Sequence, residues 1–357
     1  MSIKKVAFLL PLVLVIFVLF SSPKTHGEVL FEDDFNQHTT AWITSGAGGH
    51  QVSGGTIANP GKGEPEGWTG YIDYSANNFL GIVLNEGINN SPCLKIGPEP
   101  GNSPFEQVGL VKYLGESGYN EIYIRFYVKI DADWRWGNGT GGSQGYWKWL
   151  RIWQNVTDEE VAGQTGNLSS EENRGHVIVE LDDDDYQTFD PYFKFRTDDT
   201  DPNHDSVQSL TAGHNVSGWS YDWGTDRGFI ENLMDTSIDG SGYWSSAPEW
   251  HCFEIYIKLT GTYGGSGGVI QIWFDGVLQD WPRHYSKGSS LPTGIYGNGI
   301  NYIGLFDNGS GNQYWPGLRY VWVDNVVIST TYIGTLDEAP SPTVEAPTNL
   351  RIKDMPK

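Results

Sequence analysis

Cysteine, positive charge and helical periodicity are all scarce in this sequence of 357 residues. Its two cysteines are too few for a cysteine-rich zinc site, so any metal here would be held by oxygen ligands. The chain has 22 Lys and Arg against 44 Asp and Glu, a formal net charge of −22, whereas affinity for nucleic acid comes mostly from Lys and Arg on phosphates. Apolar residues follow helical spacing only near residues 228–234, for little more than a turn. We therefore exclude nucleic-acid binding and a helical fold.

Glycine and aromatic residues are abundant instead. The chain has 46 Gly, 15 Trp, 19 Tyr and 15 Phe. Disordered chains have few aromatic residues because they bury little surface, so this number indicates a large packed structure. Glycine is disfavoured inside helices, and together with aromatic residues it is typical of many strands joined by tight turns.

The N-terminus has the pattern of a secretory signal peptide. Lys4 and Lys5 are followed by the apolar run 6–20, which is short for a membrane span, and by a small residue at Gly27. We predict that residues 1–27 are a signal peptide and that the mature protein is secreted, or periplasmic, with no membrane attachment. The alternative is an uncleaved N-terminal anchor.

The rest of the chain divides into one domain and a tail. Residues 28–335 are uniform in composition, and we predict that they form a single domain that acts as a monomer. Residues 336–357 contain a proline-rich stretch and are predicted to be a linker or tail. Because exported proteins can form disulfides, Cys93 and Cys252 are either bridged or a pair of buried thiols.

Alternation of apolar and polar residues is the strongest local pattern in the domain. It is clearest in residues 121–130, 192–196, 250–259 and 269–274. Further strands are predicted at 92–97, 107–113, 147–154, 176–181, 301–306 and 319–329. Half-buried strands in this number, with glycine-rich connections, predict an all-β fold, a two-sheet antiparallel β-sandwich.

Four segments, taken in order, resemble the concanavalin A-like lectin and glucanase jelly rolls, particularly their bacterial polysaccharide-lyase-like members. They are the opening segment 30–35, the strands 250–259 and 270–277, and the closing segment 320–328. The resemblance covers most of residues 30–332. It implies a jelly roll in which the concave sheet binds saccharide.

Rows of rings and basic side chains on the non-core faces of the strands are the candidate saccharide-binding residues. Rings stack on the apolar faces of sugars, planar donors bond to their hydroxyls, and Arg binds carboxylate through two parallel hydrogen bonds. The candidates are Tyr123, Tyr127, Trp149, Trp153, Lys194, Arg196 and Trp273. The alternative is an ordinary outer face, because the sequence does not distinguish a concave face from a convex one.

A lyase of this kind needs two catalytic roles. One group neutralises the uronate carboxylate, so that the adjacent proton becomes acidic, and another group removes that proton. The candidates for these roles are Arg125, Arg151, Tyr192, Gln271 and His176. His251 lies on the apolar face of its strand and is interpreted as a core histidine.

We therefore expect a secreted carbohydrate-active protein, with a polysaccharide lyase that cleaves a uronate-containing polymer by β-elimination as the leading hypothesis. Residues 141–151 resemble the glycine-rich stretch before a basic strand in such lyases, but Ser143 stands where they have Lys. A non-catalytic carbohydrate-binding module is the alternative, since it would use the same rings without a base. A glycoside hydrolase is a third hypothesis: Glu180 and Asp182 match the start of a glucanase signature, but no Glu follows where the acid should stand.

Calcium is the one cofactor that the sequence suggests. Glu32 and Asp34 lie near the start of the domain and Asp324 near its end, so pairing of the terminal strands would bring their carboxylates together. Carboxylate oxygens are ligands that calcium prefers. The alternative is that backbone hydrogen bonds alone hold Asp324.

Overall fold

The computed structural model describes residues 27–43, 64–73, 78–98, 108–131, 146–163, 175–182, 192–199, 249–259, 269–278, 299–310 and 320–337. In chain order their strands are β1 Val29–Asp33, β2 Trp42–Ile43, β3 Gly70–Asp73, β4 Asn78–Val83, β5 Cys93–Pro98, β6 Val108–Tyr113, β7 Glu121–Ile130, β8 Tyr146–Gln154, β9 Gly175–Asp182, β10 Tyr192–Asp199, β11 His251–Lys258, β12 Val269–Phe274, β13 Val277–Leu278, β14 Ile300–Ser310 and β15 Val321–Ser329. A 3₁₀ turn, Ile88–Asn90, precedes β5, and helix α1, Asp158–Gly163, follows β8. No helix within these ranges is long and apolar enough to cross a membrane.

The strands form two antiparallel sheets, which confirms the predicted all-β sandwich. The nine-stranded sheet has the order β13-β12-β11-β7-β15-β5-β4-β2, with β1 paired to β15. The six-stranded sheet has the order β10-β9-β8-β14-β6-β3. Strands that are distant in sequence are neighbours in both sheets, as in a jelly roll.

One apolar core lies between the sheets. Alternate residues of β7, from Ile122 to Ile130, face it together with buried residues of β8, β11, β14 and β15. Since both sheets contribute to this core, the other face of each sheet is an outer face of the sandwich. His251 lies on the core-facing side of β11, as its position in the alternation predicts, and its ring stacks on that of Phe274 with 5.0 Å between the centroids.

One strand departs from simple alternation. The pairing of β8 with β9 shifts register between Lys148 and Leu150, and Trp149 and Leu150 both face the core. The prediction that Trp149 shares an outer face with Arg151 and Trp153 is therefore wrong, because a bulge adds one residue that alternation does not count. Trp149 has no exposed surface and so offers no ring face to a sugar.

Both chain ends of the sandwich meet at one place. Strand β1 pairs with β15, so that Glu32 lies opposite Val327. Just before β1, Glu28 donates its N–H to the Thr330 hydroxyl at 2.9 Å and accepts a hydrogen bond from the Thr330 N–H at 3.0 Å. These bonds fasten the start of the domain to the residue that follows its last strand.

The two cysteines are buried free thiols. Cys93 lies on β5 and Cys252 on β11, and β15 and β7 separate these strands in the sheet. Three strand spacings of about 4.8 Å place the two positions about 14 Å apart, far beyond the span of a disulfide. The structure therefore excludes a bridge between them.

We expect neither thiol to react with iodoacetamide in the native protein within minutes at about pH 8, and both to react after denaturation. Burial raises the pKa of both thiols, that of Cys252 to about 12, so little reactive thiolate is present. Mass spectrometry of the alkylated protein counts the modified cysteines. If both stay unmodified after denaturation without a reductant, the chain contains the bridge after all.

Candidate functional site

The candidate site residues lie on the two outer faces, on opposite sides of the sandwich. The nine-stranded sheet carries Tyr123, Arg125, Tyr127, Gln271 and Trp273. The six-stranded sheet carries Arg151, Trp153, His176, Tyr192, Lys194 and Arg196. The prediction that all of these rows line one groove is wrong, because alternation places a residue on one face of its strand but does not say to which sheet the strand belongs.

Residues 332–337, which we call the strap, lie over the outer face of the nine-stranded sheet. Glu254 of β11, only 1% exposed, accepts hydrogen bonds from the backbone N–H groups of Ile333 at 2.7 Å and Gly334 at 2.8 Å. Arg125, directly opposite Glu254 on β7, donates from Nη1 to the carbonyl oxygen of Gly334 at 3.0 Å. Two buried charged side chains are therefore bonded to the backbone of the strap.

Aromatic side chains of the same face also hold the strap. The Tyr127 hydroxyl accepts a hydrogen bond from the Leu336 N–H at 2.7 Å. The ring of Tyr332 packs against those of Trp273 and Tyr123, with 5.2 and 6.4 Å between the centroids. Burial raises the pKa of Tyr123 to about 12, which keeps its hydroxyl protonated at neutral pH. These predicted saccharide-binding residues thus contact the protein's own chain.

The loop 84–92 covers another part of this face, beside β5 and β15. Glu86 accepts hydrogen bonds from Lys95 Nζ at 2.8 Å and from Trp322 Nε1 at 2.6 Å. Lys129 Nζ donates to the Glu86 carbonyl oxygen at 2.9 Å and lies 4.7 Å from the centroid of the Trp322 ring. The loop and the strap together occupy the central strands of the nine-stranded sheet on its outer side.

The strand register of the six-stranded sheet arranges its outer-face residues in four rows that cross the strands. Residues directly opposite each other in antiparallel strands share a face, so each row follows from the pairing. The first row is Tyr113, Tyr302, Trp153, His176 and Asp198; the second is Val111, Gly304, Arg151, Ile178 and Arg196; the third is Asn308, Lys148, Glu180 and Lys194; the fourth is Ser310, Tyr146, Asp182 and Tyr192.

Four basic residues in the second and third rows form what we call the basic patch: Lys148 and Arg151 on β8, and Lys194 and Arg196 on β10, with β9 between the two strands. One acidic residue, Glu180, lies among them, opposite both lysines. This local excess of positive charge occurs in a chain whose net charge is −22. The register thus places four basic residues and one acidic residue in two adjacent rows.

Arg151 occupies the middle of the second row. The carbon of its guanidinium lies 5.4 Å from the centroid of the Trp153 ring. Its neighbours across the strands are Gly304 and Ile178. Gly304 contributes no side chain, and the Arg151 residue is 7% exposed.

The register separates the two candidate residues for proton transfer. His176 is one strand and one row from Arg151, whereas Tyr192 is two strands and two rows away. With about 4.8 Å between strands and about 7 Å between rows, the backbone of His176 lies about 8 Å from that of Arg151, and the backbone of Tyr192 about 17 Å from it. The backbone of His176 is thus the nearer of the two to that of Arg151, and the backbone of Tyr192 lies in the last row.

Helix α1 covers the first-row end of this face. Val161 packs against a second apolar cluster that includes Trp153 and Tyr302, and Trp153 is only 2% exposed. The helix begins with a capping box: the Thr157 hydroxyl accepts a hydrogen bond from the Glu160 N–H at 3.2 Å, and the Glu160 carboxylate accepts one from the Thr157 N–H at 2.7 Å. Trp153, a predicted saccharide-binding residue, therefore packs under protein in this structure.

Sequence reasoning missed Lys148 as a member of the basic patch. Strict alternation puts Lys148 on the core side of β8, opposite in orientation to Trp149 and Arg151. A lysine at an apparent core position, between two tryptophans, is itself a signal that the strand carries a bulge near that point.

The residues predicted to bind calcium lie in different surroundings. Glu32 and Asp34 are exposed, whereas Asp324 has no exposed surface. Asp324 accepts hydrogen bonds from the Ile88 N–H at 2.8 Å and the Asn325 N–H at 2.7 Å. Both carboxylate oxygens of Asp324 thus accept hydrogen bonds from the backbone, and the calcium site stays a prediction of the sequence. Among the residues that the structure describes, no group of three or more His, Cys, Asp or Glu is placed to hold a metal.

We expect the free energy of unfolding to fall as the pH rises from about 4 to about 6, and Asp324→Asn to remove part of that slope. Burial raises the pKa of Asp324 to about 6, although hydrogen bonds from Ile88, Asn325 and Ser91 oppose the shift. In this range the folded state holds a proton that the unfolded state, with an ordinary pKa near 4, has lost, so folding becomes less favourable as the pH rises.

Thermal melts of both proteins across this range measure the effect, and equal pH slopes would contradict it. The same melts with a chelator test the calcium prediction, because a ligand bound only by the folded state raises Tm. A Tm that falls when chelator is added would establish the ion.

Comparisons with known proteins give distant likenesses only. No family model and no curated protein matches the chain. Among solved structures, the alginate lyase Aly36B has a TM-score of 0.43 at 13% identity, over 81% of this chain and 96% of that chain. The marine PL-14 alginate lyase from Aplysia kurodai has a TM-score of 0.40 at 13% identity, over 71% and 87%. The cellulose-induced protein Cip1 has a TM-score of 0.36 at 11% identity, over 85% and 99%.

The fold assigned above rests on the two sheets and their shared core, and these likenesses carry no argument about the site. The narrower assignment to the concanavalin A-like jelly rolls stays a prediction of the sequence.

Proposed function

We propose that this protein binds a uronate-containing polysaccharide on the outer face of the six-stranded sheet and cleaves it by β-elimination. The observation that carries the proposal is the basic patch, in which adjacent rows bring together four cationic residues and one acid. The rest of the chain is strongly acidic and would repel an anionic polymer, so binding is favoured where cations are concentrated. Among the described residues, the central strands of the nine-stranded sheet offer no equivalent surface, because the strap and the loop 84–92 cover them.

Arg151 is assigned to the substrate carboxylate and His176 to the proton beside it. A guanidinium pairs with a carboxylate through two parallel hydrogen bonds and neutralises its charge, which makes the adjacent C–H more acidic. A neutral imidazole then removes that proton. The electron pair of the C–H bond forms a carbon–carbon double bond, and the glycosidic oxygen leaves from the next carbon and takes up a proton from water, to which the imidazolium returns the one that it removed.

The other predicted residues take supporting roles or none in this proposal. Lys194 and Arg196 bind further carboxylates of the same polymer. Tyr192, two rows from Arg151, is assigned to another sugar of the polymer rather than to the reacting one. Arg125 and Gln271, on the opposite side of the sandwich, have no part in the reaction. The predicted signal peptide would deliver the protein, as a monomer, to the extracellular or periplasmic space, where such polymers are met.

The test is incubation of the protein with a panel of uronate polysaccharides while the ultraviolet absorbance is recorded. Elimination creates a conjugated double bond that absorbs, whereas hydrolysis and binding do not. Matched neutral polysaccharides serve as the control, since they carry no carboxylate for Arg151.

Each other outcome overturns the proposal in a defined way. Retention of the polymers without absorbance would make the protein a binding module. New reducing ends without absorbance would make it a hydrolase, with Glu180 and Asp182 as the first residues to examine. Absence of both binding and cleavage would remove the basic patch as a saccharide site.

A further inference from the structure

The strap is attached to the sandwich differently from the strands. Its residues form no β-ladder, and none of them belongs to the apolar core. The hydrogen bonds that hold it run from its backbone to the side chains of Arg125, Tyr127 and Glu254. Leu336, near its end, is 48% exposed. Release of the strap would therefore leave both sheets and the core between them in place.

The charges of Arg125 and Glu254 lower the free-energy cost of releasing the strap. Burial of Arg125 and Glu254 costs solvation, and their hydrogen bonds to the strap offset that cost. When the strap leaves, water can solvate both side chains, which compensates for part of the lost bonding. Segments with this balance open at a lower free energy than the whole domain unfolds.

We propose that residues 332–337 open and close on the nine-stranded sheet as a unit, while the sandwich stays folded, and so couple the C-terminal tail to the face that contains Arg125 and Glu254. The tail begins where the strap ends. If the tail binds elsewhere, the hydrogen bond of Leu336 breaks first and those of Gly334 follow, which exposes the face. If the tail is not bound, the strap stays closed over the face. This proposal does not depend on the proposed function.

The two cysteines report on the two covers of this face separately. Cys252 alternates with the core residue Phe253 and lies directly opposite Tyr127, under the strap. Cys93 alternates with a core residue of β5 and lies near Glu86 and Lys129, under the loop 84–92. Faster alkylation of one thiol and not the other therefore shows which cover has opened.

The experiment compares Glu254→Gln with Glu86→Gln in the full chain. Glutamine at 254 loses one of the two acceptors for the strap, whereas the same substitution at 86 affects only the loop. We expect Cys252 to be alkylated at least about tenfold faster in Glu254→Gln, with the rate at Cys93 unchanged. Hydrogen exchange of the Ile333, Gly334 and Leu336 amides should accelerate together by the same factor, while β7 stays protected. In Glu86→Gln the rate at Cys252 should equal that of the unmodified protein.

Two results would overturn the proposal. If both thiols accelerate equally and β7 loses its protection, the strap opens only when the domain unfolds. If the three strap amides exchange at the unmodified rate, or independently of one another, the strap is not a unit. Should Glu254→Gln fail to fold, Tyr332→Ala takes its place, because it removes the ring contact with Trp273 and leaves no buried charge unpaired.

Discussion

Arg151→Ala is expected to reduce elimination by about 10²- to 10³-fold, the usual loss when a preorganised charge-stabilising donor is removed. Arg125→Ala is expected to keep the activity and to lower Tm by several degrees. Arg125 donates to the strap at Gly334 from a position that is 7% exposed, so its removal costs a charged hydrogen bond and leaves Glu254 without the cation opposite it. Both arginines are 7% exposed, but they belong to different sheets, and Arg125 is bonded to the strap.

The ultraviolet assay measures the activity of both variants, and thermal melts measure their stability. Arg151→Lys is the conservative control: it keeps the charge but loses the fork that binds carboxylate, so an intermediate activity is expected. If Arg125→Ala loses the activity and Arg151→Ala keeps it, the site lies on the nine-stranded sheet and the strap must move to admit substrate.

Trp149→Ala is expected to lower the free energy of unfolding by about 3–5 kcal/mol, the usual cost of deleting a large ring from a core. The Trp149 ring lies 5.0 Å from that of Phe253 and 6.1 Å from that of Phe126, both on the other sheet, and 5.6 Å from that of Phe306. It thus fills space between the sheets that neither sheet alone can close. Denaturant unfolding measures the loss.

Trp322→Ala is the matched control for this prediction. Trp322 is half-buried on an outer face, where its deletion opens no internal cavity, so a smaller loss of stability is expected. If Trp149→Ala keeps its stability and instead loses binding to polysaccharide, Trp149 would be the saccharide-binding residue that its sequence context suggests.

The long strands were predictable from sequence because one face of each is buried. In β7 and β11, core residues alternate with outer-face residues along the whole strand, so alternation identifies both the strand and its orientation. Short strands such as β2 and β13, two residues each, contain too few positions for any period to show. Helix α1 was missed for the same reason, since six residues make less than two turns.

The neighbours of each site residue were less predictable, because they come from strands that are distant in the sequence. Arg125 and Gly334 bond across 209 positions of the sequence, and no local pattern near Arg125 indicates that contact. Likewise, Arg151 lies one strand and one row from His176 because β8 pairs with β9, and the bulge in β8 sets the register of that pairing. Alternation supplied the candidate residues; only the sheet order divided them between two surfaces.

The hydrogen-bonded pair of Glu28 and Thr330 means that the two sheets, without the strap, begin and end within the width of one strand pairing, about 5 Å. A domain with such closely spaced ends can be grafted into a surface loop of a host protein without forcing that loop apart. Both junctions would lie on the side of the nine-stranded sheet. The six-stranded sheet, on the opposite side of the sandwich, would then face away from the junctions.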